Sequence, residues 1–401
     1  MENNDLLKEF PVKGFLASGV HAGLKDQGPD LGMICSEAPA AAAAVFTSNR
    51  VKAAPVLLAM EKIASGRCRC VIVNSGNANC CVGPSGMEAA RRMSAAAAGE
   101  LGIGEDLVIP ASTGVIGRKL PIEKIEAAVP SLAASLSPGG MGDFAKSIMT
   151  TDTRPKIAFA RGDIGGKAFS VAGAAKGSGM IHPDMATMLC FACSDIDIPA
   201  NLLKESLQKG AAASFNRITV DGDTSTNDMA LVMANGVSGA RVESPSDLKR
   251  FRNALDAVLL DLARKIVEDG EGASKTAEII VKGARSDDEA RAAADTVAGS
   301  SLVKTAFAGQ DPNWGRIMAA LGRSGAEMDP DRIDIDFDDV PVARNGAGLG
   351  DGAEKQAAAV LEKRAFSISA NLNMGSGRAS VFTCDLTAEY VAINADYTHR
   401  T

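Results

Sequence analysis

One stretch in the middle of the chain, Lys176–Phe191, constrains the fold more than any other. It opens with a glycine-rich loop, whose backbone can take conformations that other residues resist, and Pro183 adds a fixed turn. Residues 188–193 then form a short apolar run, which predicts a buried strand. Thr187 therefore lies where a small-residue loop enters a core strand. On spacing alone, an ordinary turn before a core strand explains the stretch, because such turns are common.

Length and composition indicate a large α/β chain. At 401 residues it is too long for one ordinary core and predicts two or three packed lobes. A net charge of −7 without a basic block argues against nucleic acid or an anionic membrane as a partner. The polar, acidic N-terminus and the lack of any run of 18 apolar residues predict no signal peptide and no membrane span. We therefore expect a soluble, cytoplasmic protein.

The cysteine pattern argues against disulfides and metal. Eight cysteines in a cytosolic chain are expected to be reduced, and most should be small core residues. Cys190 and Cys193 have CxxC spacing, but no second CxxC exists and the chain has only three histidines. The acidic segment 221–228 fails the register of an EF-hand, which requires glycine at its sixth position. We expect no metal ion.

Residues 176–181 and 185–189 resemble the self-cleavage segment of the ornithine acetyltransferase family, the glutamate N-acetyltransferases of arginine biosynthesis. The resemblance implies that the chain is cut between Ala186 and Thr187 and that the new N-terminal Thr187 accepts an acetyl group. A threonine needs a base, and its own free α-amino group can serve once it begins a chain. Residues 182–184 depart from the family pattern, which leaves any role of His182 open.

The resemblance extends over most of the chain and implies an oxyanion hole. A short predicted strand, 107–110, is followed by a turn in which Thr113 precedes Gly114. Unaided, this is simply a turn, although glycine at such a position can expose backbone N–H groups to a developing oxyanion. The family places its oxyanion hole here, which implies that Thr113 and Gly114 are catalytic together with Thr187.

Further residues would hold an amino-acid substrate. Lys176 by itself is expected to be a solvated surface charge and Glu271 a turn acid, but the resemblance makes them partners of the substrate carboxylate and ammonium. The resemblance also assigns substrate contacts to a threonine near 150, to Asn394 and to a final serine or threonine, and one sequence leaves open which threonine is meant in the first and last of these places. The candidates are Thr150, Thr151, Asn394, Thr398 and Thr401.

The implied mechanism is ping-pong. Thr187 would take acetyl from N-acetyl-ornithine and pass it to glutamate, with no cofactor, while acetyl-CoA stays open as a second acetyl donor. The implied architecture is a layered α/β sandwich of the self-cleaving aminopeptidase type. It would be formed jointly by fragments 1–186 and 187–401, assembled as a heterotetramer of two N-terminal and two C-terminal fragments.

Two other functions remain open. An N-terminal-nucleophile amidohydrolase or aminopeptidase of the same fold would use water as acceptor. It would not need Lys176 and Glu271 to hold both ends of an amino acid. A non-catalytic amino-acid binding protein would not be cut, and the intact motif at Ala186 and Thr187 argues against it.

Periodicity and turn residues predict the secondary structure elsewhere. They predict a helix over 120–129 that ends near Pro130, and a hairpin between strands 366–372 and 380–386. The other predicted elements are strands 70–73, 229–233 and 277–281 and helices 87–101, 199–215, 246–268 and 287–298.

Overall fold

A computed structural model describes residues 11–182 and 188–396. The chain is mixed α/β, as predicted, and contains two mixed sheets. The strands are β1 (Phe15–Val20), β2 (Leu31–Phe46), β3 (Arg67–Asn74), β4 (Val108–Ser112), β5 (Lys156–Ile164), β6 (Lys167–Lys176), β7 (Leu189–Ser194), β8 (Ile218–Thr219), β9 (Met229–Ala234), β10 (Thr276–Ala284), β11 (Asp334–Phe337), β12 (Val340–Arg344), β13 (Ala347–Gly348), β14 (Ala365–Asn371) and β15 (Gly377–Cys384). The helices are α1 (Ala54–Ile63), α2 (Pro84–Leu101), α3 (Ile122–Ala134), α4 (Met141–Ser147), α5 (Ala200–Ala213), α6 (Pro245–Glu268), α7 (Asp287–Ala298), α8 (Ser301–Ala308), α9 (Trp314–Gly322), α10 (Asp351–Leu361) and α11 (Ala388–Ala395).

The first sheet combines strands from both sides of position 187. Its order is β4-β3-β2-β9-β7-β6-β5, with β1 paired to β2. The two central strands, β7 and β9, follow position 187 in the sequence, whereas the strands on either side of them precede it. Lys176 at the end of β6 pairs with Leu189 at the start of β7, which in turn pairs with Met229 at the start of β9. One end of these three strands therefore gathers residues from distant parts of the sequence.

Both faces of the central strands are covered, which explains why 188–193 is apolar without alternation. Cys190 and Ala192 face the core formed with α5 and α6, whereas Phe191 and Cys193 face the core formed with α4. Phe191 packs edge-on against Phe144 of α4, with ring centroids 5.7 Å apart. A third core lies under α2 and α3.

The second sheet is built from residues that follow position 187. Its order is β13-β12-β11-β14-β10-β15-β8, and helices α7 to α10 cover one face. The alternation of buried and half-buried residues along β10 and β14 reflects this one-sided cover.

The predicted hairpin between 366–372 and 380–386 is wrong. Both strands, β14 and β15, pair with β10, which lies between them. Their connection crosses the end of β10, where Leu372 N donates to Lys282 O and Met374 N donates to Gly283 O. The turn residues 372–376 suit either arrangement, because they are enough to span two inter-strand spacings of about 4.8 Å.

The predicted end of a helix at Pro130 is also wrong. Helix α3 continues to Ala134 with Pro130 inside it. Pro130 is exposed, while Val129 and Leu132 are buried on either side of it in the core shared with α2. The packing of these two residues outweighs the backbone hydrogen bond that proline removes.

Within residues 11–182 and 188–396, no helix is both long enough and apolar enough to cross a membrane. The eight cysteines carry no disulfide, and seven of them are buried, as predicted for core residues.

Candidate active site

A cavity of about 300 Å³ opens beside the end of β6. It brings together the predicted site residues that lie in the described part of the chain: Thr113, Gly114, Thr150, Thr151, Lys176, Glu271 and Asn394. Its other lining residues are Ala78, Ile116, Gly179, Met180, Ser225, Thr226, Asn227 and Ala395. The remaining predicted site residues, Ala186, Thr187, Thr398 and Thr401, lie outside the described residues.

Lys176 is buried, with 2% of its surface exposed, contrary to the default expectation of a surface charge. Its Nζ donates to Thr150 Oγ1 at 2.8 Å and lies 3.9 Å from Asp152 Oδ2. Burial lowers the pKa of Lys176, and the neighbouring carboxylate of Asp152 opposes that effect. The cavity therefore has a buried ammonium on its wall, suited to an anionic group of a ligand.

Asp152 organises the charges behind this wall. Its Oδ1 accepts from Lys156 Nζ at 2.6 Å and from Gly177 N at 2.7 Å, and its Oδ2 accepts from Thr150 N at 3.0 Å. Burial alone would raise the pKa of Asp152, but the ammonium groups of Lys156 and Lys176 hold it well below the ordinary value. The carboxylate thus fixes the start of the glycine loop and the Thr150 backbone at once.

A second carboxylate completes this network. Lys156 Nζ also lies 2.5 Å from Asp269 Oδ2, and Asp269 accepts from the backbone N–H and the hydroxyl of Thr153. Asp269 caps the end of α6, two residues before Glu271. The ion network therefore joins the loop at 150–153 to the loop that carries Glu271.

Both threonines left open by the sequence line the cavity. The Thr150 hydroxyl accepts from Lys176, whereas the Thr151 hydroxyl is 2.9 Å from Ser178 Oγ. Thr150 is therefore tied to the buried ammonium and Thr151 to the glycine loop.

Thr113 and Gly114 follow β4 in a turn that only glycine can complete. Gly114 has φ +131°, and a Cβ there would lie 2.5 Å from Asn77 N. The Thr113 N–H already donates to Asn74 O at 3.0 Å. The hydroxyl is consequently the donor that Thr113 can offer to the cavity.

Glu271 and Asn394 also line the cavity and contact each other. Asn394 Nδ2, on α11, donates to Glu271 Oε2 at 2.7 Å, and Glu271 N donates to Ser178 O at 2.9 Å. The carboxylate packs so closely on Gly179 that a Cβ there would lie 2.5 Å from its Oε1. A buried carboxylate thus faces the same cavity as the buried Lys176 ammonium.

Comparison with known proteins decides the family. A model of the ArgJ family matches residues 16–399. This chain belongs to the ArgJ family. The arginine biosynthesis bifunctional protein ArgJ of Geobacter sulfurreducens is 52% identical over 389 residues, covering 96% of this chain and 99% of the relative. The protein of the same name from Thermotoga neapolitana is 46% identical over 397 residues, covering 97% and 99%.

Solved ArgJ-family structures are also similar. The arginine biosynthesis bifunctional protein of Bacillus halodurans is 43% identical, covers 51% of this chain and 96% of its own, and has a TM-score of 0.49. Ornithine acetyltransferase of Mycobacterium tuberculosis, complexed with ornithine, is 36% identical, covers 44% and 95%, and has a TM-score of 0.40.

The structure brings two residues of the acidic segment 221–228, Asp221 and Asn227, into contact with segments that border this cavity, although neither was among the predicted site residues. Asn227 Nδ2 donates to Ala78 O at 2.7 Å and to Ser112 O at 2.8 Å, so one side chain joins two segments that border the cavity. Asp221 accepts from Ile181 N at 2.8 Å and from Tyr390 OH at 3.2 Å. Asn227 stands just before a buried apolar strand, as Thr187 does, and that repeated arrangement was the signal available in the sequence.

Proposed function

We propose that this chain transfers an acetyl group from N-acetyl-ornithine to glutamate in arginine biosynthesis, giving ornithine and N-acetylglutamate. Its membership of the ArgJ family supports that reaction. The observation that carries the proposal is a single cavity lined by both the buried Lys176 ammonium and the buried Glu271 carboxylate. An amino acid presents the complementary pair of charges, a carboxylate and an ammonium. Water, the acceptor in an amidohydrolase, needs neither the Lys176 ammonium nor the Glu271 carboxylate for its binding.

In the first half-reaction the Thr187 hydroxyl attacks the acetyl carbonyl of N-acetyl-ornithine. The free α-amino group of Thr187 takes the hydroxyl proton, since its unperturbed pKa of about 7.7–8.0 suits a base near neutral pH. The Thr113 hydroxyl and the Gly114 N–H stabilise the oxyanion. The proton then passes to the leaving amine, and ornithine departs from the acetylated Thr187.

In the second half-reaction glutamate binds with its amine as an ammonium, and the amine loses a proton before it attacks the acetyl ester. The ester C–O bond breaks, the Thr187 α-amino group passes a proton to Thr187 Oγ, and N-acetylglutamate leaves. Lys176, with Thr150 beside it, binds the substrate carboxylate, and Glu271 with Asn394 binds the substrate ammonium. Thr151 lines the same cavity, and Thr398 and Thr401 both remain candidates for a contact from the end of the chain. Ornithine is the ligand of the Mycobacterium relative, which supports an amino-acid site of this kind.

We further propose that the active form is produced by cleavage between Ala186 and Thr187. The fragments 1–186 and 187–401 then assemble as a heterotetramer of two copies of each. The interleaving of β7 and β9 between β2 and β6 supports joint folding of the two fragments. The bifunctional relatives support acetyl-CoA as an alternative donor for making N-acetylglutamate.

The test is product analysis with N-acetyl-ornithine in the presence and absence of glutamate. We expect ornithine to accumulate continuously only with glutamate, in step with N-acetylglutamate. Free acetate formed at the same rate without glutamate would identify a hydrolase and contradict the proposal.

A further inference from the structure

Cys80 and Cys81 are adjacent in the sequence, and their two thiols meet. The Sγ atoms lie 3.6 Å apart. Along an extended strand, the side chains of neighbouring residues point to opposite faces. Here Asn79 and Cys81 instead have left-handed backbone conformations, with φ +49° and +58°. Such a conformation is uncommon for residues other than glycine and strains the backbone. The turn therefore holds the two thiols together at the expense of local strain.

The two thiols differ in their access to solvent. Cys81 is exposed, whereas Cys80 is buried, with 1% of its surface accessible. Burial raises the pKa of Cys80, which keeps it a thiol rather than a thiolate. A small oxidant would therefore reach Cys81 first and find Cys80 beside it. An accessible cysteine next to a second, resolving cysteine is the arrangement found at sites of reversible oxidation.

A second thiol pair shows why access matters. Cys35 and Cys70 face each other across strands β2 and β3, with their Sγ atoms 2.9 Å apart. Both are buried in the core under helices α2 and α3. Because oxidation follows exposure, this pair should resist an oxidant in the folded protein although its thiols are closer together. It serves as an internal control.

Cys80 is joined to two segments that border the cavity of the site. Its thiol forms a hydrogen bond with the side chain of Thr226, which lines that cavity. Thr226 Oγ1 in turn donates to Asn227 Oδ1 at 2.6 Å. On the other side, the Cys80 carbonyl accepts from Gly117 N at 3.0 Å, three residues after Gly114. A displacement of Cys80 would therefore reach both segments.

We propose that Cys80 and Cys81 form a site of reversible oxidation by peroxides, and that their disulfide slows acetyl transfer. The Cys81 thiolate attacks one oxygen of hydrogen peroxide, the O–O bond breaks, and a sulfenic acid and hydroxide result. The hydroxide takes up a proton and becomes water. The Cys80 sulfur then attacks the sulfenic sulfur, the S–O bond breaks, and the Cys80 proton leaves with that oxygen as a second water. Two thiols thus lose two electrons, which the peroxide gains.

The disulfide would change what Cys80 contacts. The two Sγ atoms would approach from 3.6 Å to about 2.05 Å, which draws Cys80 away from Thr226. Adjacent Cα atoms are about 3.8 Å apart, closer than the roughly 4.4–6.8 Å usual for a disulfide. A disulfide this tight is readily reduced, so thiols should restore the original state. The effect on the rate rests on the proposed function, whereas the oxidation itself does not.

The test treats the full chain with hydrogen peroxide under native conditions and follows peptide masses and acetyl transfer together. We expect Cys80 and Cys81 to lose two hydrogen atoms between them, while alkylation shows Cys35 and Cys70 still reduced. Acetyl transfer should fall by roughly tenfold or more, because small displacements beside reacting groups slow a reaction strongly. Dithiothreitol should restore both the mass and the rate.

Two variants separate the roles of the two thiols. Cys81→Ser should transfer acetyl at the wild-type rate and keep that rate after peroxide treatment. Cys80→Ser lacks the resolving thiol, so Cys81 should proceed to the sulfinic acid, which dithiothreitol does not reverse.

Three results would overturn the proposal. The first is a wild-type chain in which peroxide forms no disulfide between Cys80 and Cys81. The second is an equal loss of rate in wild type and in Cys81→Ser. The third is a disulfide that leaves the rate unchanged. A chain that does not transfer acetyl even before treatment would instead contradict the proposed function, while the peptide masses would still decide whether the pair is oxidised.

Discussion

Asp152 lies between two buried ammonium groups and makes hydrogen bonds to the backbone at two places. Its neighbours Lys156 and Asp269 extend the network to the loop before Glu271. Removing one partner of a buried ion pair lowers the stability of the fold, because the remaining charge stays buried without a partner. The residues that touch the substrate in the proposed mechanism are thus held in place by charges that do not touch it.

We predict that Asp152→Asn lowers the free energy of unfolding by about 3–5 kcal/mol near neutral pH. The folded-state pKa of Asp152 is depressed. Its stabilising contribution is therefore present above the unfolded pKa of about 3.9 and is lost as pH falls through the folded value. Chemical denaturation across a pH series should show the two proteins converging below pH ~4. A difference that does not depend on pH would contradict the ionic role.

We predict that Gly179→Ala weakens binding of both amino acids. The new Cβ would lie 2.5 Å from Glu271 Oε1, so the carboxylate must move. We expect kcat/KM to fall by roughly tenfold or more, mainly because KM rises. The fall should be seen with N-acetyl-ornithine and with glutamate alike. The control is Gly99→Ala in α2, where nothing lies within 4 Å of the added Cβ. An unchanged KM for both substrates would argue against Glu271 as a ligand.

At the scale of elements, the sequence predicted the positions of the strands better than it predicted which strands pair with each other. Strand 188–193 was predictable because burial on both faces leaves a continuous apolar run. The neighbours of β10 were not predictable, because turn residues 372–376 are compatible both with a hairpin and with a connection that crosses the end of β10. The buried pair Lys156–Asp269 was missed because its members are far apart in sequence, and Lys156 at the start of a strand looks solvated.

Helix α11 is attached to the site by polar contacts, since none of its residues is buried. Asn394 donates to Glu271 and Tyr390 OH donates to Asp221. We predict that Tyr390→Phe increases amide hydrogen exchange along 388–395 while leaving global unfolding nearly unchanged. Val391→Ala, at a residue 64% exposed on the same helix, is the control. Equal exchange in wild type and Tyr390→Phe would show that the hydroxyl does not hold the helix.

At the scale of the whole molecule, the strand order would resist separation of the proposed fragments 1–186 and 187–401. Central strands β7 and β9 come from the segment after position 187 and are flanked by β2 and β6 from the segment before it. Pulling these two parts of the chain apart would break the β2–β9 and β6–β7 pairings, which exposes four strand edges, and would open two apolar cores.

We therefore predict that the cleaved fragments stay together until the protein unfolds. Size-exclusion chromatography in a denaturant series should show dissociation at the same concentration at which circular dichroism reports loss of structure. Dissociation well before that point would contradict the shared core.

The central claim is that Thr187 carries the acetyl group. The most direct measurement is the mass of the fragment that begins at residue 187, after incubation with N-acetyl-ornithine and no glutamate. Our account predicts that this fragment gains one acetyl group on Thr187 and loses it when glutamate is added, while Thr187→Ala remains a single uncut chain. An uncut wild-type chain, or an acetyl group on another residue, would contradict it.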